Sequence, residues 1–161
     1  LDKYQHWSTY TPEEQSVVIA AGSVYGNTTN AAEILAGMLA ERGVKNIAFY
    51  DVSNTHPSVL VSEAFRCSHL VFASSTYNNG IFTPMETVLL DLAAHNLQNR
   101  TVALIENGSW APVSGKLMRE VLGKMKNIQI LDSSLTLRSS MKEDQLASLE
   151  SLADAIVKSL E

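Results

Sequence analysis

The sequence lacks the features that define several large classes of protein. Its 161 residues include one cysteine, Cys67, which excludes an internal disulfide and favours a reduced cytoplasmic setting. No apolar run approaches the length needed to cross a bilayer. Basic residues form no stripe with interleaved aromatics, and the net charge of −5 argues against a nucleic-acid partner. Together these absences predict a cytoplasmic protein with neither membrane nor nucleic acid as a partner.

Histidine is also scarce, and its four positions carry no metal-binding pattern. His6, His56, His69 and His95 lack the His, Glu or Asp spacing that metal ligands show. We therefore predict no metal site, and we expect each histidine to be a surface or capping residue.

The composition is that of one globular domain. Apolar residues make up 45% of the chain and charged residues 18%, and there is no internal repeat or low-complexity segment. The chain has no signal-peptide pattern, and because it starts with Leu rather than Met we expect a piece excised from a longer protein, with a full product as the open alternative. We predict a linker-like segment over residues 1–14 and a single domain over residues 15–161.

Short apolar runs alternate with amphipathic segments along the chain. Gly43 follows the first amphipathic segment, and Thr83-Pro84-Met85-Glu86 has the cap, proline and acid that open a helix. The apolar runs predict five strands, at residues 17–21, 47–52, 70–74, 101–106 and 128–131. This alternation predicts an α/β fold of three layers, with a parallel sheet covered by helices on both faces. Of the two main strand orders that right-handed crossovers leave, we favour 2-1-3-4-5.

The loop after the first strand offers a site for a phosphate group. Residues 21–29 are rich in glycine and hydroxyl groups at the start of a helix, where free N–H groups and the helix dipole favour an anion. The two glycines lack dinucleotide-fingerprint spacing, and Gly26 is followed by Asn27 rather than by a Walker-loop lysine. No Lys or Arg lies between residues 17 and 42, so the donors are neutral. They are the backbone and the side chains of Ser23, Asn27, Thr28 and Thr29.

Neutral donors favour a monophosphate ester over a polyphosphate with magnesium. The alternative for this loop is a Ser/Thr-rich turn that only caps the helix.

Two further loops have the groups that a flat heterocycle needs. Both follow predicted strands that end at the same edge of the sheet as the phosphate loop, where ligands bind if the strand order reverses. Tyr77 and Trp110 offer aromatic faces, while Asn78, Asn79 and Gly80 offer amide and backbone groups for ring-edge heteroatoms. Taken singly, the Trp is typical of loop packing and Asn-Asn-Gly of a turn. Converging from three loops, these groups predict a phosphorylated heterocycle as the ligand.

Three segments carry a family resemblance: Ser23-Val24-Tyr25-Gly26-Asn27-Thr28, Thr76-Tyr77-Asn78-Asn79-Gly80-Ile81-Phe82 and Asn107-Gly108-Ser109-Trp110. Together they resemble a flavodoxin-like FMN domain, and more specifically the C-terminal domain of the flavodiiron proteins (A-type flavoproteins). Tyr25, where flavodoxins usually carry Thr, and the Tyr-Asn-Asn-Gly-Ile-Phe run are typical of the flavodiiron branch. The opening Trp7-Ser8-Thr9-Tyr10 resembles the linker that follows that family's diiron domain.

The resemblance implies FMN as the cofactor and a set of residues that bind it. For the phosphate these are Ser23, Tyr25, Gly26, Asn27 and Thr28, with Val24 contributing backbone. For the isoalloxazine edge they are Thr76, Tyr77, Asn78, Asn79 and Gly80. Ser109 and Trp110 match the remaining loop, with the indole stacked on the ring.

The resemblance also implies a role in electron transport as an oxidoreductase component. In full-length flavodiiron proteins, FMN passes electrons to a diiron site that reduces dioxygen or nitric oxide. We expect this chain to transfer electrons without metal-centred catalysis of its own, to the diiron domain of a parent protein or to another redox partner. A homodimer and a monomer are both open. The alternatives within flavoproteins are a free-standing flavodoxin and an FMN-dependent NAD(P)H:quinone oxidoreductase.

Other classes fit the residues less well. A phosphate-regulated receiver domain shares the strand order but needs acidic residues after the first and third strands, where this chain has Ala20-Ala21 and Ala73-Ser74. A non-catalytic nucleotide-binding module stays open.

Overall fold

The structure, a computed structural model, describes residues 14–22, 27–44, 46–77, 80–81, 83–95, 97, 99–107, 114–131, 135–137 and 143–160. The strands in these ranges are β1 (Glu14–Gly22), β2 (Ile47–Asp51), β3 (Cys67–Tyr77), β4 (Gly80–Ile81), β5 (Arg100–Asn107), β6 (Ile128–Ile130) and β7 (Leu135–Leu137). The helices are α1 (Asn27–Glu41), α2 (Pro57–Arg66), α3 (Thr83–Ala94), α4 (Ser114–Leu122) and α5 (Glu143–Leu160).

The sheet has the strand order β2-β1-β3-β5-β6, and each of these neighbours pairs in parallel. This confirms the predicted order 2-1-3-4-5, because β4 is a short antiparallel addition to β3. Strands β6 and β7 pair with successive stretches of β5, so together they occupy the fifth position of the sheet.

Side chains of the central strands alternate between two cores, one on each face of the sheet. On one face Val18 of β1 packs in a cluster with Leu89 of α3, and α2 and α4 contribute to the same cluster. On the other face Ile19 packs with Leu35 of α1 and Leu152 of α5. The central strands are therefore buried on both sides, which explains why they are continuous apolar runs. The three-layer α/β prediction is confirmed.

Helix α1 ends where its sequence predicts an end. Gly43 has a φ of +90°, a backbone conformation that side chains with a Cβ rarely adopt. Its N–H donates to the carbonyl of Ala40, and the N–H of Val44 donates to the carbonyl of Leu39, both at 3.1 Å. These two bonds form a Schellman motif, which satisfies carbonyl groups that the end of the helix leaves without partners.

Two features of the sheet differ from the sequence prediction. Strands β1, β3 and β5 extend beyond the predicted residues 17–21, 70–74 and 101–106 at both ends, and the short strands β4 and β7 were not predicted. Thr76 and Tyr77 at the end of β3 show no apolar alternation, so only their pairing with β4 reveals them as strand.

No helix among the described residues is long and apolar enough to cross a membrane. Residues 1–13 lie outside the described ranges, so the linker-like segment stays a prediction.

Candidate functional site

Three central strands bring their carboxyl ends to one edge of the sheet. Gly22, the last residue of β1, pairs with Ser74 of β3, and Ser75 of β3 pairs with Asn107, the last residue of β5. The connections of the chain change faces of the sheet beside β1. Helix α1, which follows β1, covers one face, and α2, which leads into β3, covers the other. This edge is therefore the position where open α/β sheets bind ligands.

The first of the three connections leads directly into a helix. Strand β1 ends at Gly22 and α1 begins at Asn27, so the first turn of α1 includes Asn27 and Thr28. This first turn contains no acidic residue. The helix therefore places no carboxylate of its own beside the positive end of its dipole, which is the end that favours an anion.

The second connection is a β-hairpin. Strand β3 continues three residues past its last pairing with β1 and turns back, so that Thr76 pairs with Ile81 and Tyr77 with Gly80. This β3–β4 ladder extends past the end of β1. Three of the predicted binding residues, Thr76, Tyr77 and Gly80, lie in it. The two residues between the paired strands, Asn78 and Asn79, lie outside the described residues.

The third connection follows β5 on the other side of β3. It runs from Asn107 to the start of α4 at Ser114, and its predicted site residues Ser109 and Trp110 lie outside the described residues. Strand β7 pairs with the last residues of β5, from Ile105 to Asn107. An additional strand therefore flanks this part of the edge, which the sequence did not predict.

The predicted binding residues fall into two groups. The helix or strand positions that the structure describes are Asn27, Thr28, Thr76, Tyr77 and Gly80. Outside the described residues lie Ser23, Val24, Tyr25, Gly26, Asn78, Asn79, Ser109 and Trp110. The fold brings the three connections together at one edge, and the contacts of the individual side chains stay a prediction.

A fourth loop, after β2, lies beside the first connection and was missed by the sequence reading. The N–H of Val52 donates to the carbonyl of Ala21 at 2.9 Å, which ties this loop to the end of β1. The Asp51 carboxylate accepts from the N–H of Ser53 at 2.9 Å and from the side-chain amide of Asn54 at 3.2 Å. The signal was an Asp followed by Ser and Asn at a strand end, which is typical of an Asx turn.

His69 corrects the prediction that every histidine is a surface or capping residue. It is only 6% exposed, its Nδ1 lies 2.7 Å from the Ser68 hydroxyl, and its Nε2 lies 3.0 Å from the Ser159 hydroxyl. Burial lowers the pKa of this imidazole, and Ser159 partly offsets that effect. The ring joins β3 to the last turn of α5, at the opposite edge of the sheet from the three connections.

His56 and His95 behave as predicted. His56 caps α2, since its Nδ1 accepts from the N–H of Ser58 at 3.2 Å. His95 is exposed, and its Nδ1 donates to the carbonyl of Asp91 at 2.7 Å. In the part of the chain that the structure describes, no three His, Cys, Asp or Glu side chains form a group that could hold a metal ion.

Cys67 has the properties of a structural thiol. It is fully buried at the start of β3, and burial raises the pKa of its thiol. A thiol with a raised pKa is a weak nucleophile at neutral pH, so a packing role fits Cys67 better than a catalytic one.

The strand order, the three layers and the shared ligand edge define the flavodoxin-like class of α/β fold. Among solved structures, the chain is similar to the rubredoxin oxygen:oxidoreductase of the anaerobe Desulfovibrio gigas, with a TM-score of 0.90 and 22% identity over 99% of this chain and 39% of that chain. The flavodiiron protein of Giardia intestinalis gives a TM-score of 0.83 and 16% identity, over 99% of this chain and 40% of that one.

A flavodoxin from the domain Archaea is also similar, with a TM-score of 0.76 and 20% identity over 91% of this chain and 99% of that one. The chain therefore spans about two fifths of these larger proteins and nearly all of a flavodoxin. At such identities the similarity establishes the fold. No protein-family model and no curated protein matches the sequence.

Proposed function

We propose that this chain is an FMN-binding electron-transfer domain of the flavodiiron type. The observation that carries the proposal is the convergence of three connections at the carboxyl edge of the sheet, after β1, β3 and β5. Each connection has the residue types that one part of FMN needs, and the three parts of the sequence are far apart in the chain. A turn that only caps α1 would not require the other two.

The residues of the first connection bind the phosphate of FMN without a cationic side chain. No Lys or Arg occurs between residues 17 and 42, so binding depends on backbone N–H groups, the dipole of α1 and neutral side chains such as Thr28. The backbone and hydroxyl donors of Ser23, Val24, Tyr25, Gly26 and Asn27 complete this set.

The other two connections have the task of binding the ring. In this proposal Thr76, Tyr77, Asn78, Asn79 and Gly80 bind the isoalloxazine edge, and Ser109 and Trp110 belong to the other loop, with the indole stacked on the ring. Aromatic side chains here exclude water and stack on a flat heterocycle, while amide and backbone groups hold protons at its edge heteroatoms. When bound, FMN supplies reversible electron transfer, and the protein adjusts its potential through hydrogen bonds and nearby charge.

The parent protein is proposed to be a flavodiiron oxygen or nitric oxide reductase. The support is the similarity to a protein named rubredoxin oxygen:oxidoreductase and to a flavodiiron protein, each of which extends well beyond the length of this chain. In that setting the partner of this domain is a diiron domain, and this chain performs no metal-centred chemistry itself. The nearly complete coverage of an archaeal flavodoxin favours a second candidate, a free-standing electron carrier.

FMN binding is tested by titrating the apoprotein with FMN and with riboflavin, monitored by flavin fluorescence. We expect FMN to bind much more tightly, because only FMN presents a phosphate to α1. Thr28→Ala should weaken FMN binding by about 1 kcal/mol, or about fivefold, since one neutral donor is lost. Ser151→Ala, an exposed hydroxyl in the middle of α5, is the matched control and should leave the affinity unchanged.

Equal affinity for FMN and riboflavin would contradict the phosphate site, and an apoprotein that ignores both flavins would support a non-flavin nucleotide module. Oxidation of NAD(P)H with a quinone acceptor distinguishes the quinone-reductase alternative. An electron-transfer domain should show negligible turnover in that assay.

A further inference from the structure

A cleft of about 580 Å³ lies between α2 and α3, on the face of the sheet that these helices cover. Its volume is within the range of small-molecule sites in proteins. Pro57, Val61 and Phe65 give it an apolar wall, and Asp91 and His95 line the part formed by the end of α3. None of these residues belongs to the three connections at the carboxyl edge, so the cleft is separate from the proposed flavin site.

On the α3 side of the cleft, Asp91 adds a negative charge for which the described part of the chain supplies no ion-pair partner. Asp91 is in the last turn of α3, and this turn contains no basic residue. A carboxylate at the C-terminal end of a helix faces the partial negative charge of the helix dipole, which is an unfavourable arrangement. Among the described residues, the Asp91 carboxylate has neither an ion-pair partner nor a side-chain hydrogen bond. A bound cation would relieve this repulsion.

The two histidines that line the cleft make their hydrogen bonds with groups other than this carboxylate. His95 uses its Nδ1–H on the main-chain carbonyl of Asp91 rather than on the carboxylate. On the opposite helix, His56 uses its Nδ1 to cap the N–H of Ser58, so the positive end of α2 already has an acceptor. The lining residues include no Lys or Arg.

We propose that this cleft binds a small organic ammonium ion with an apolar alkyl or aryl body. The carboxylate of Asp91 pairs with the ammonium group. The apolar body packs against Val61 and Phe65, and the centroid of the Phe65 ring lies 6.0 Å from the guanidinium carbon of Arg100. Charge and apolar surface are both needed, because an exposed ion pair alone contributes little to affinity.

The proposal is tested with three probes on the protein as purified, so that the outcome does not depend on the flavin proposal. Phenethylammonium has the charge and the apolar body, phenethyl alcohol has only the body, and ethylammonium has only the charge. Binding is followed by ¹H–¹⁵N NMR titration of the backbone amides. We expect phenethylammonium to bind most tightly, with shifts concentrated in α2 and the last turn of α3, and to weaken at high salt.

Variants assign the binding to named groups. Asp91→Asn should weaken the binding of phenethylammonium about threefold or more, and the affinity for phenethyl alcohol should stay unchanged. Glu86→Gln, in the first turn of the same helix and outside the cleft, is the matched control and should have no effect. Val61→Thr keeps the shape of the apolar wall but adds a hydroxyl group, so it should weaken the binding of both aromatic probes.

Equal binding of phenethylammonium and phenethyl alcohol would overturn the proposal, as would an unchanged affinity in Asp91→Asn or shifts outside α2 and α3. Should Asp91→Asn fail to fold, the comparison of the three probes on the unchanged protein decides the matter.

Discussion

Arg100 is a single residue that completes the end of a helix from another part of the chain. It is 2% exposed at the start of β5, and its Nε and Nη2 donate to the carbonyls of Ala64 and Phe65, each at 3.0 Å. Those carbonyls belong to the last turn of α2, where a helix has no internal donors left. Burial lowers the pKa of this guanidinium to about 10, which still leaves it charged at neutral pH.

Lysine should not replace the planar guanidinium of Arg100 without a loss of stability. Arg100→Lys keeps the charge but cannot reach both carbonyls of α2, so a buried acceptor loses its partner and we expect a loss of about 2 kcal/mol in unfolding free energy. Urea denaturation followed by circular dichroism measures this loss. Arg119→Lys, at an exposed position of α4, should change stability by less than about 0.5 kcal/mol. Equal effects of the two substitutions would refute the capping role of Arg100.

Among single residues, the sequence identified roles that depend on local geometry. His56 was expected to be a surface or capping residue, and it caps the helix that follows it in the chain. His69 has the same chemistry, yet its partners Ser68 and Ser159 come from a neighbour and from a helix ninety residues away. Only the packing of α5 against β3 makes that histidine a buried residue.

Helices and strands were predicted best where a local start or stop signal marks their ends. Helix α3 begins at the Thr83-Pro84-Met85-Glu86 run that was expected to open a helix, and α1 stops at Gly43. The hairpin strand β4 was missed because two residues cannot show a period, and their strand identity comes from the pairing with β3.

Gly37 in α1 and Gly43 just after this helix should respond to alanine substitution with opposite changes in stability. Gly37 lies on the exposed face of the helix with nothing within 4 Å of an added Cβ, so Gly37→Ala should stabilise the protein by about 0.5 to 1 kcal/mol. Gly43→Ala forces a Cβ into a backbone with φ +90° and should destabilise it by about 1 kcal/mol. Thermal unfolding of the pair checks both signs, and two changes of the same sign would contradict the conformational argument.

At the scale of the whole molecule, the two ends of the sheet have different roles. The carboxyl edge is the candidate ligand site, and the amino edge holds helices in place. The connections after β1, β3 and β5 meet at the carboxyl edge, while His69, Ser159 and Arg100 fix helices at the amino edge. Stability and binding can therefore be changed independently by substitutions at opposite edges.

The stability of the molecule should fall on mild acidification because of His69. The unfolded chain takes up a proton on this ring at a pKa of about 6.5, whereas burial holds the folded-state pKa lower. Between the two pKa values the unfolded state binds more protons, so stability is complete above about pH 6.5 and decreases as the pH falls below it. The midpoint of urea unfolding, measured from neutral pH to about pH 5, should show this slope.

His69→Gln should reduce that slope, because the variant has no group at this position to protonate. His95→Gln, at an exposed ring, is the control and should keep the wild-type slope. An unchanged pH dependence in His69→Gln would assign the acid sensitivity to other groups.

The sequence by itself determined the alternation of strands and helices and the two-sided burial of the sheet. These follow from apolar periodicity and from local stop signals such as Gly43, which act within a few residues. Tertiary structure decided the pairing of β4 and β7, the burial of His69, the cap that Arg100 gives to α2 and the cleft beside Asp91. Apart from the β3–β4 hairpin, each of these joins residues distant in the chain, and their contacts exist only after the helices have packed on the sheet.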